Sequence, residues 1–120
     1  MRKFIKPVKV FLEVEAELFF NTLPSKTKSK FLKLFDKTEF GLRGEWFEPL
    51  KETDGICEFR LRFNTNYYRL LAFWDRDGEV ETLIVATHGF LKKTNKTPVA
   101  EIKRAESIKH QYFHKKKLNK

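Results

Sequence analysis

The residues best equipped for chemistry sit in the run ICEFRLRFN (Ile56–Asn64) and its neighbours. In this run Cys57, Phe59, Leu61 and Phe63 alternate with Glu58, Arg60 and Arg62. A period of two marks a strand with one face buried and one open, so Arg60 and Arg62 point the same way. A guanidinium fork on a fixed backbone is a good phosphate holder, because little order is lost when it binds. The following run, YYRLLAFWD (Tyr67–Asp75), brings Arg69 alongside across a tight hairpin. A third run, VETLIVATHGFLKK (Val80–Lys93), ends on Lys92 and Lys93, with Lys96 just beyond. His88 precedes Lys92 by four residues, on the same side by alternation.

Such a group suits one route of phosphodiester chemistry. RNA can be cut by its own 2′-hydroxyl attacking the adjacent phosphate. A protein that speeds this must remove a proton, hold a phosphorane with extra negative charge, and protonate the leaving 5′-oxygen. Arginines meet the second need through fixed charge and paired donors. A histidine, or a lysine whose pKa neighbouring cations lower, meets the proton transfers, and no cofactor is called for. Each residue also has a plainer reading. Isolated arginines on an open sheet face commonly protect edges or aid solubility; three that converge with a lysine pair favour a phosphate site. His88 reads equally well as a hydrogen-bonded structural residue. Tyr67 and Tyr68 could stack a base, with at least one packing in the core. His110 and His114 are four apart, but the surroundings are cationic and lack the glutamate of a zinc-binding HExxH helix, which favours a solvated face.

Charge distribution agrees with this location. The net charge is +9, and residues 60–120 hold 14 Lys/Arg against 6 Asp/Glu, whereas residues 1–59 hold 11 against 10. A polyanion-binding surface therefore belongs to the strands and the C-terminal helix, where Lys103 and Arg104 add to it. Among 120 residues, 13 Phe and 2 Trp make a single packed core the expectation, with the domain at 1–114 and a frayed basic tail at 115–120. The apolar stretches are too short to span a bilayer, and the charged start MRKFIKPVKVFLEVE lacks the apolar block of a signal peptide. The single cysteine, Cys57, forms no internal disulfide and reads as a small buried hydrophobe, in keeping with the cytosol.

The elements that must position these residues follow in order. Alternation over residues 7–14 predicts a first strand. Glu15–Asn21 predicts a short helix, and Lys26–Lys37 a better one with Thr27, Phe31, Leu34 and Phe35 on one face. The two form a hairpin on one face of the sheet, leaving the other face free. Residues 38–54 read as a loop, with a turn of helix around Trp46–Phe47. The three arginine-bearing and lysine-ended runs form an antiparallel meander. Thr97 is placed to cap a last helix, 98–114, with Pro98 in its first position.

The order β-α-α-β-β-β-α, with a mainly antiparallel four-stranded sheet, resembles the α+β fold of the RelE/ParE toxin superfamily. The stretches GICEFRLRFNTNYYRLLAFWD and THGFLKKTNKTPVAEIKRAE resemble its HigB-like, phage-derived host-killer branch. The resemblance implies the toxin of a type II toxin–antitoxin pair, a ribosome-dependent endoribonuclease acting on mRNA. It also implies inhibition by a small helix-turn-helix antitoxin of the HigA type. The family's basic strand positions match Arg60, Arg62 and Arg69 in spacing, and the basic end of its last strand corresponds to Lys92 or Lys93. Lys96, Lys103 and Arg104 are the expected RNA-binding residues. The alternative is a non-catalytic ParE-like toxin or binding module that inhibits DNA gyrase or another partner.

Overall fold

The computed structural model describes residues 7–85, 90–91 and 97–119. Its sheet has the order β1 (Val8–Leu12), β5 (Glu81–Val85), β4 (Asn66–Asp75), β3 (Ile56–Phe63), β2 (Phe47–Pro49), and β6 (Phe90–Leu91) also pairs with β4. β1 lies parallel to β5, and every other pairing is antiparallel. The helices are α1 (Val14–Asn21), α2 (Ser25–Glu39) and α3 (Val99–Leu118).

α2 forms because Thr27, Phe31, Leu34, Phe35 and Thr38 recur at helical spacing, and all five are buried. With Ala16 of α1 they cover Phe47, Phe59, Leu70, Ala72 and Leu83. The opposite sheet face is covered as well. Ile56, Leu71, Phe73 and Ile84 pack against Ala105 of α3, with Ile102, Ile108, Tyr112 and Phe113 around it. The molecule therefore has three layers, and the sheet face expected to be free is partly roofed by α3. The unbroken apolar run Leu70–Phe73 is the physical reason, since a central strand with all four residues buried needs cover on both sides.

Other expectations change in detail. The segment read as a loop with a helical turn contains β2, which pairs Phe47 with Phe59 and Glu48 with Glu58. Pro49 is tolerated there because β2 is an edge strand. The single strand expected over 80–93 is represented by β5 and β6, both on β4. α3 does not fray at residue 115 but runs to Leu118. Thr97 does not cap α3: Pro98 is the N-cap residue and no side chain caps it.

Asp75 anchors the far end of α3. Its Oδ2 accepts from Tyr112 Oη at 2.5 Å and Lys116 Nζ at 2.7 Å, and its Oδ1 from the Asp77 N–H at 3.0 Å. Burial alone would raise the Asp75 carboxyl pKa, but these donors outweigh it and hold the value below the usual range. Burial and the Asp75 carboxylate together push the Tyr112 phenol up to about 12.

Because the folded-state pKa of Asp75 lies below its unfolded value of about 3.9, this anchor is fully effective above that pH and is lost as pH falls through the folded value. Asp75→Asn should therefore be less stable near neutrality and lose less stability on acidification than the wild type, as read by urea unfolding at both pH values. The β3–β4 turn places Asn64 and Thr65 at φ 50° and 63°. Both central residues are left-handed, as a type I′ hairpin turn requires, and a β-branched residue is strained there. Thr65→Gly should raise stability by about 1 kcal/mol in the same assay.

Candidate functional site

Register builds the site. β3 and β4 set Arg60 directly across from Arg69, and Arg62 directly across from Tyr67, all on the face that α3 partly covers. Two like charges placed opposite each other on neighbouring strands repel. The neutralising group is Glu58, fully buried two residues before Arg60. Its Oε1 accepts from Arg60 Nε at 2.8 Å and lies 3.4 Å from Arg69 Nε. Its Oε2 accepts from the Thr97 hydroxyl, at the entry to α3. Arg60 is also ion-paired with Glu48, the β2 residue registered against Glu58.

The three arginines are thus unequal. Arg69 is 7% exposed, and its terminal Nη1 donates to the Tyr68 carbonyl at 3.3 Å. Burial lowers its pKa, opposed by Glu58, while Arg60 lowers it further. Arg60 is half-buried and shared between Glu58 and Glu48. Arg62 is exposed, lies 5.2 Å from the centre of the Tyr67 ring, and meets no carboxylate among the described residues. A guanidinium stacked on an aromatic ring keeps its donors directed outward while its body is held. The cluster therefore presents one open fork, Arg62, beside a half-shared one, Arg60, with Arg69 as buried positive charge behind them.

The remaining expected residues fall in different places. β6 pairs Leu91 with Tyr68 and Phe90 with Arg69, so the third run does reach the arginine end of β4. His88, Lys92, Lys93 and Lys96 lie outside the described residues. Lys103 is exposed on α3. Arg104 does not stand open: it makes a two-pronged pair with Glu15 at the start of α1, tying α3 to the other helical layer. Tyr68 packs in the core edge-on to Phe31 at 6.1 Å, while Tyr67 stays beneath Arg62. Cys57 is buried, and that burial raises its thiol pKa. His110 bonds Asp54 at 3.0 Å, and no cluster of three or more His, Cys, Asp or Glu able to hold a metal occurs among the described residues.

Glu58 is the participant that sequence reasoning passed over. The alternation had already put it on the face of Arg60 and Arg62; what was missed is that a carboxylate on that face, next to two cations, serves as their common counter-charge. Glu58→Ala should cost about 3–5 kcal/mol by leaving Arg69 buried and unbalanced. The double variant Glu58→Ala/Arg69→Ala should recover part of that loss in urea unfolding, and strict additivity of the two would show that they do not interact.

Neither curated proteins nor solved structures gave a significant match. A family model described as phage derived protein Gp49-like (DUF891) matches residues 18–110, a span that runs from α1 to His110 of α3 and includes the whole arginine cluster with Glu58. With most of its length inside that match, the chain belongs to the Gp49-like phage-derived protein family, a RelE/HigB-like toxin-type family.

Proposed function

We propose that this chain is the toxin of a toxin–antitoxin pair and that it cleaves mRNA on the ribosome. The observation that supports this most is the convergence of Arg60, Arg62 and Arg69 on one sheet face, with Arg62 open to a ligand. The Gp49-like family is consistent with such a toxin.

In this reading Arg62 and the free donors of Arg60 hold the scissile phosphate and stabilise the extra charge of the phosphorane. Arg69 stays buried, raising the local positive potential and keeping Glu58 engaged, so that Glu58 steadies Arg60. The 2′-hydroxyl of the RNA is the nucleophile. Lys92, Lys93 or His88, which flank β6 in the chain, take and return the protons. Tyr67, already stacked under Arg62, offers a ring for a neighbouring base. Lys96 and Lys103 extend the contact along the RNA backbone, whereas Arg104 reaches RNA only by giving up Glu15. The partners are mRNA with the ribosome in the cytosol, and a helix-turn-helix antitoxin that blocks this face.

Induced expression tests the reading. Wild type should arrest growth with mRNA cut at mapped positions, and Arg62→Ala should lower cleavage about a hundredfold while remaining folded by circular dichroism. Arrest with intact mRNA and inhibited gyrase supercoiling would instead support a ParE-like mode. Undiminished arrest by Arg62→Ala would remove this face from the mechanism.

A further inference from the structure

A second cationic site lies at the opposite end of β3 and β4, about 17 Å along β4 from Arg69 by strand rise. Arg43 and Arg76 both lie over the Trp74 ring, 5.4 Å and 4.9 Å from its centre. Trp74, Arg76 and Lys109 line a cavity of about 300 Å³ whose walls include Leu50 and Ile56. Lys109 is brought there by Gly55, which has a φ of 71° and over which Nζ passes so closely that an added Cβ would lie 3.0 Å from it. Lys109 Nζ donates to the Asp54 carbonyl at 2.7 Å and pairs with the Asp54 carboxylate at 3.5 Å, which holds the ammonium at the rim. Arg43 meets no carboxylate among the described residues, and Arg76 has only an exposed pair with Glu81.

The arginine cluster on β3 and β4 does not use these groups. A ring, a guanidinium plane and apolar walls accept a flat body; the cations around them accept negative charge attached to that body. A carboxylate side chain supplies the charge without the flat body, whereas a nucleotide supplies both. Unpaired bases stack on aromatic rings and on arginine planes. Resting on the reading of the chain as one that acts on RNA, we infer that the Trp74–Arg76–Lys109 cavity binds one nucleotide of single-stranded RNA. Its base lies against Trp74 and Arg76, its phosphate is held by Lys109, and Arg43, outside the cavity lining but over the Trp74 ring, adds positive charge beside it. The site grips the strand away from the point of cleavage.

Trp74 reports on its own site once the second tryptophan is removed by Trp46→Phe. In that background a non-cleavable 2′-O-methyl RNA, on the order of ten nucleotides long, should quench Trp74 fluorescence saturably at low salt. Binding should weaken steeply as salt rises. Arg76→Ala should weaken it about tenfold, the scale of one lost base stack, and Arg43→Ala should flatten its salt dependence, with both variants folded by circular dichroism. A mononucleotide should bind far more weakly than the oligomer, and so should polyglutamate. Equal binding of polyglutamate, equal binding of the mononucleotide, or RNA binding with no change at Trp74 would each overturn the assignment. Quenching by RNA without mRNA cleavage in cells would leave this site standing and remove the nuclease; cleavage with an unresponsive Trp74 would do the reverse.

Discussion

The arrangement of the arginine end of the sheet depends on one buried carboxylate. Antiparallel register forces Arg60 and Arg69 into opposition, and burial of Arg69 makes that opposition more costly. Glu58 resolves it by facing both guanidinium groups with one oxygen and the Thr97 hydroxyl with the other. The same residue therefore balances charge between two strands and joins the entry of α3 to the sheet. What is left after Glu58 and Glu48 have engaged their partners is the positive charge that faces outward, chiefly on Arg62.

α3 is the other organising element, held along its length by contacts of different kinds. Thr97 meets Glu58 just before the helix begins, Ala105 and its neighbours sit on Phe73 and Ile84, and Tyr112 and Lys116 close on Asp75. Arg104 reaches round to Glu15 of α1, while Lys109 and His110 hold the turn at Asp54. Several helix cations that look like a solvated basic stripe in one dimension are thus used to dock the helix. No helix among the described residues is long and apolar enough to cross a membrane.

Much of the fold was legible in the residues alone. The period of two in β3, the helical spacing of Phe31, Leu34 and Phe35, and the tight turn at Asn64-Thr65 all identify elements through local physics, because spacing decides which side chains can share a face. That Arg60 and Arg62 face one way, and that Arg69 comes beside them, follows from the same rule. β2 was not legible. A three-residue edge strand containing a proline has too few residues to show a period, and it exists only because β3 offers it a partner.

The amino-acid order by itself determined the types of the longer elements, the shared face of the arginines and the placing of positive charge in the second half of the chain. Tertiary structure decided which of those charges are spent inside the protein. Whether an arginine is open, shared or buried depends largely on partners brought in from other elements: Arg60 meets Glu48 of β2, Arg69 meets Glu58 of β3, and Arg104 meets Glu15, 89 residues away. Periodicity reports only on neighbours a few positions apart, so it gives the side of the sheet on which a guanidinium lies. The carboxylate that meets it there is chosen by packing.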